Sequence, residues 1–162
     1  KKWNFDNLLY VLGILFFGFA FEMVAAKTNM LYGDYSFGPS LGPKVAAVPY
    51  SIGFYWLLLS YSSACVAAKL KIQSPQIRTL LAAGLQTGLA MLIFQVAAKL
   101  KFWTIAVHQE GQIRYAVVYF VFALLLQYIF GRLKLDASNK LAPYIYILLA
   151  VFFFGLWMFV KY

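Results

Sequence analysis

Hydrophobic residues run along this chain in five unbroken blocks, 8–26, 45–68, 79–98, 115–130 and 144–160, separated by shorter polar or turn-rich stretches. A helix that crosses a bilayer needs about 20 predominantly apolar residues, with a range of about 17–25. The fourth block is the shortest, and its helix is expected to start earlier, near Gln112. The blocks are continuous, whereas a transmembrane barrel would show short alternating segments. Lipid offers backbone groups no partner, so each block is expected to be a helix. The pattern predicts an all-α fold with no sheet: a polytopic helical membrane protein of about five transmembrane helices, forming a single domain over residues 1–162. The first block reads as a retained span, because it is long, carries Glu22 and ends in no cleavage-site pattern.

The connections differ in kind. Residues 27–44 hold Gly33, Gly38, Pro39, Gly42 and Pro43, which interrupt any regular helix. The same stretch carries Tyr32, Tyr35 and Phe37. Residues 31–43 are therefore expected to fold back on the mouth of the bundle, which shields those rings from water. Residues 69–78 are short and basic, residues 99–114 hold Trp103, His108 and Glu110, and residues 131–143 form a polar turn. The hexapeptide VAAKLK occurs at 66–71 and again at 96–101, but nothing outside those letters repeats, so it marks no repeat architecture.

Composition narrows the class. Hydrophobic residues make up 64% and charged residues 12%, which excludes an ordinary soluble domain and a disordered chain. The net charge of +9 arises from 14 Lys and Arg against only 5 Asp and Glu. The basic residues sit almost wholly in the connections, where lipid phosphates are their expected partners. They form no clustered polar face, so nucleic acid is not an expected partner. Eight of the basic residues fall on the N-terminal side of the membrane and six on the other, which favours a cytoplasmic N-terminus. One cysteine, Cys65, and one histidine, His108, give no disulfide within the chain and no metal cluster built from these ligands.

Few residues carry chemistry. Glu22 lies within an apolar helix, where a carboxylate is costly unless paired, protonated or facing water. It is either a functional acid or an edge residue paired with Lys27. Asp34 stands between Tyr32 and Tyr35, an arrangement that suits a proton relay or a turn in which Asp34 caps backbone amides. Trp56 and Trp103 belong either to the interfacial aromatic belts or to the wall of a cavity that holds a flat apolar ligand or stabilises a cation. Gln86, Gln95 and Gln127 are expected to hydrogen-bond between helices. His108 and Glu110 form either an acid–base pair or, as the expected reading two residues apart in a loop, a solvated histidine beside a loop carboxylate.

The stretch 21–63 resembles the carotenoid hydratase family of carotenoid-biosynthesis membrane proteins, which includes the bacterioruberin-type hydratase. Glu22 matches a family Glu near a helix end. Tyr32, Gly33, Tyr35 and Phe37 match its loop. Leu41, Gly42, Val48, Pro49 and Trp56 match its Leu–Gly, its Val–Pro and its Trp-containing helix. A looser match over residues 80–123 aligns Trp103 and Thr104, with Ile105 replacing a second Trp. Met91, Gln95 and Val96 stand where the family places acids and a Pro, and Tyr115 where it places an Asn.

The resemblance implies addition of water to the end-group double bond of a linear carotenoid in a prokaryotic cytoplasmic membrane. It implies Glu22 or Asp34 as the acid, Tyr32 and Tyr35 as relays, and Trp56, Trp103 and Phe37 against the ligand. No cofactor or metal is required, although a carotenoid or lipid is expected to bind. The expected partners are membrane lipids, a hydrophobic polyene and other membrane subunits. The departures keep a second reading open: a non-catalytic small subunit of a membrane complex that holds carotenoid, quinone or lipid.

Overall fold

The computed structural model describes residues 5–105 and 109–161. Five helices follow the five apolar blocks: α1 (Phe5–Thr28), α2 (Ser51–Lys69), α3 (Pro75–Ala97), α4 (Gln109–Arg132) and α5 (Ala142–Lys161). All five are long and apolar enough to cross a membrane. At 1.5 Å per residue, α1 is roughly 36 Å long, more than the ~30 Å hydrocarbon core. The fourth helix does begin ahead of its apolar block, at Gln109. The third begins at Pro75, where a missing N–H costs nothing, and Ser74 caps it by accepting from the Ile77 N–H at 3.4 Å.

Two expectations need correction. The chain is not free of sheet. Strand β1 (Tyr35–Phe37) pairs antiparallel with β4 (Trp103–Ile105), and β2 (Lys44–Val45) pairs with β3 (Val48–Pro49). None of these two- or three-residue strands spans anything; they lie in the connections, where water and loop neighbours replace the lipid constraint. The second apolar block is also not helical from its start, because residues 45–50 belong to the β2–β3 hairpin and its exit. Pro49 has no N–H and biases Val48 away from helical geometry. Ala46 and Ala47 make the hairpin turn with φ of 50° and 72°, the positive values that a two-residue turn requires.

The core lies among α1 to α4, and α5 packs on α2 and α3. Most of the outer face of α5, including Leu148, Val151, Phe152 and Phe159, is exposed, as suits a lipid-facing helix. Gly18 and Gly53 let α1 and α2 approach closely. A Cβ on Gly18 would lie 2.7 Å from the Trp56 Cβ, and one on Gly53 would lie 2.9 Å from the Leu15 carbonyl oxygen.

A polar layer joins four helices inside this apolar packing. The Gln127 amide nitrogen donates to the Ser60 carbonyl and to Gln86 Oε1, each at 2.9 Å, and the Tyr10 hydroxyl bonds to Ser60 Oγ at 2.9 Å. Gln86 and Gln127 thus link helices as expected, whereas Gln95 is exposed on the outside of α3.

Candidate functional site

Glu22 sits one turn beyond Gly18, on the same face of α1. It is 2% exposed, and the close approach of α2 brings the Trp56 indole to it. Trp56 Nε1 donates to Glu22 Oε1 at 3.1 Å. Glu22 Oε2 is buried and makes no hydrogen bond among the described residues. Lys27 is exposed, and the carboxyl faces the bundle rather than the helix end.

Aromatic rings surround this carboxyl. Trp56 stacks on Tyr119 with centroids 4.3 Å apart and meets Phe21 and Phe122 edge-on at 5.7 and 4.9 Å. Tyr32 meets Tyr35 edge-on at 5.2 Å and tilts against Tyr115 at 4.7 Å. Tyr55 bridges from Trp56 to Trp103, 6.3 and 6.1 Å away. Both predicted tryptophans are therefore buried core groups, and the interfacial-belt alternative is corrected: Trp56 is 0% exposed and Trp103 4%. The close contact at Gly18 and the pairing of β4 with β1 bury both rings inside the fold.

Pairing of the two connections builds the roof. Along β1, Tyr35 and Phe37 point into the bundle and Ser36 points out, the alternation a strand requires. Phe37 lies opposite Trp103 in the register, and on the outer face Ser36 Oγ meets Thr104 Oγ1 at 2.8 Å. Just past β1, the Gly38 N–H bonds to the Phe102 carbonyl at 2.8 Å. No other residue fits at 38, because a Cβ would lie 2.0 Å from the Lys101 oxygen. Residues 31–43 thus fold onto the bundle, with Tyr32 and Tyr35 buried. Burial pushes both phenols well above the usual range, so they stay neutral donors.

Not every candidate joins this group. Asp34 is exposed on the turn, and its Oδ1 accepts from Asn29 Nδ2 at 3.2 Å, the arrangement of a turn residue. His108 lies outside the described residues, as does the side chain of Glu110. Of the positions that depart from the family pattern, Val96 is buried, Met91 is half-buried and Gln95 is exposed, while Tyr115 enters the ring cluster itself.

Sequence reasoning missed Tyr55, Tyr119, Phe21 and Phe122, and took Tyr115 only as a departure. A signal existed, because Tyr115, Tyr119 and Phe122 recur at helical spacing and so share one face of α4.

Chemically, the cluster combines one carboxyl oxygen without a hydrogen bond, neutral phenols and a wall of π faces. The hydroxyls of Tyr32, Tyr55 and Tyr119 and the Trp103 Nε1 are also buried without a hydrogen bond among the described residues. Each such group costs about 1–3 kcal/mol. Buried polar groups are usually paired, and these lie together around one carboxyl. Two hollows, of about 880 and 730 Å³, lie elsewhere in the bundle, and neither is lined by Glu22.

Comparison with known proteins gives one match. A family model described as carotenoid biosynthesis protein covers residues 2–162. No curated protein and no solved structure matches. By that family match, the chain belongs to the carotenoid biosynthesis protein family.

Proposed function

We propose that this protein adds water to the end-group double bond of a linear carotenoid, with Glu22 as the general acid. Membership of the family supports a role in carotenoid biosynthesis; the hydration step is our reading. The observation that carries it is the buried Glu22 carboxyl, held through one oxygen by Trp56 and walled by aromatic faces.

An uncompensated charge is expensive at this depth, so the reading takes Glu22 as protonated before reaction. Its proton goes to the less substituted alkene carbon. The π bond breaks, a C–H bond forms and a tertiary carbocation remains. The π faces of Trp56 and the tyrosines stabilise that cation. A water oxygen then forms the C–O bond and loses a proton, which returns to the Glu22 carboxylate directly or through Tyr35 or Tyr32. The sum is one water added, with no change in oxidation state overall and no metal or organic cofactor in the scheme.

A second reading has its own support. Neither hollow is lined by Glu22, and Tyr115 fills a place where the family carries a smaller residue. A packed cluster of this kind suits a non-catalytic subunit that holds carotenoid, quinone or lipid. The test is to incubate the purified protein with a linear carotenoid in detergent. A product one water heavier supports the enzyme. Pigment recovered unchanged, together with co-purifying membrane proteins, supports the subunit.

A further inference from the structure

The hollow of about 880 Å³ lies between α3 and α4 at the end of the bundle remote from Glu22. Its lining changes character along its length. Arg78 in the first turns of α3, Arg132 at the end of α4 and Lys134 just beyond stand at its mouth. Along its length the lining is mainly apolar, with Ala64, Leu124 and the outward-facing Leu80 and Val121, and with Gln127 as a buried polar residue in it. No Asp or Glu is among its described lining residues.

The dimensions fit the membrane. Val121 and Arg132 lie on one helix, so the hollow reaches roughly 16 Å inward from the mouth at 1.5 Å per residue. That is about half of the ~30 Å hydrocarbon core, the depth of one leaflet. Three cations at headgroup level above an apolar trough one leaflet deep match an amphiphile with an anionic head. A free phosphate would leave the trough unused, and a neutral lipid would leave the cations unused.

We propose that this hollow is a binding site for an anionic phospholipid, its phosphate held by Arg78, Arg132 and Lys134 and one acyl chain lying along α4. A guanidinium suits this task, because its planar fork meets phosphate oxygens in pairs. The site is separate from the Glu22 cluster and stands whether or not the protein is a hydratase.

The experiment uses the full chain, delipidated in mild detergent and then offered phosphatidylglycerol or phosphatidylcholine, with retention read by native mass spectrometry. One phosphatidylglycerol should stay bound in preference to phosphatidylcholine. Replacing Arg78, Arg132 and Lys134 together by Gln should weaken that preference by on the order of a hundredfold, since each cation near a membrane surface contributes about a factor of five. Lys27→Gln with Lys101→Gln, on the opposite face, should leave it intact. Leu124→Trp, which fills the trough and keeps every charge, should expel the lipid while helicity by circular dichroism is unchanged. Equal retention of the two lipids would overturn the proposal. So would an unchanged preference in the triple Gln protein or in Leu124→Trp. Displacement of the lipid by millimolar inorganic phosphate would assign the cations to a free anion instead.

Discussion

The Trp56 indole, which comes from another helix, donates to the Glu22 carboxyl. Trp56 in turn is fixed by its stack on Tyr119 and by the missing side chain at Gly18. Trp56→Phe keeps a ring for the stack and removes the N–H, leaving both Glu22 oxygens without that anchor. Stripping the partner from a buried polar group costs about 1–3 kcal/mol, so unfolding in mixed micelles should show a loss of that size. An unchanged unfolding midpoint would mean that the bond contributes nothing to the fold. Glu22 was legible in the sequence because a carboxyl in an apolar block stands out against every neighbour. Tyr55, Tyr115 and Tyr119 were not, since a tyrosine in such a block looks the same whether it faces a headgroup or a core. The neighbour that buries it lies on another helix.

Among the elements, the helices were legible and the small sheets were not. Twenty apolar residues in a row are a strong local signal, and lipid leaves them one backbone solution. The β1–β4 pair joins Tyr35 to Ile105 through three residues on each side, too short for a period and too far apart in sequence to suggest contact. The start of α2 was misplaced for a different reason. Val45 to Val48 is apolar, but Pro49 and the positive φ of Ala46 and Ala47 set a hairpin there. Helix packing rests partly on the Gln86–Gln127–Ser60 layer. Gln127→Leu should destabilise the bundle by about 1 kcal/mol, within the range found for hydrogen bonds between membrane helices. The Gln86→Leu, Gln127→Leu double variant should recover part of that loss, because it leaves fewer orphaned groups. Strictly additive losses in the two single variants would show that the two amides act independently.

For the whole molecule, five spans put the described ends of the chain on opposite faces. The connection after α1 and the one after α3 share a face, because β1 pairs with β4. The Glu22 cluster lies beneath that shared roof, and the cationic hollow opens toward the other face. The balance of basic residues favours a cytoplasmic N-terminus, which would put the roof on the far side of the membrane. Ser40 is exposed on the roof, and Ser138 is exposed in the turn between α4 and α5. In sealed cells an impermeant thiol reagent should label Ser40→Cys and spare Ser138→Cys; native Cys65 is buried and should stay silent. The reverse labelling pattern would invert the assigned orientation.

The central claim is that the buried carboxyl is the acid of a hydration reaction. Glu22→Gln keeps the shape and the acceptor for Trp56 but cannot give up a proton. Asp34→Asn alters the exposed turn carboxyl alone. Assayed side by side for conversion of a linear carotenoid to its hydrated product, Glu22→Gln should lose about 10²–10⁴-fold in rate, the usual contribution of a general acid. It should still bind pigment and unfold as the parent does, and Asp34→Asn should retain its rate. Product formed by Glu22→Gln at the parent's rate would contradict the account and remove Glu22 from the chemistry.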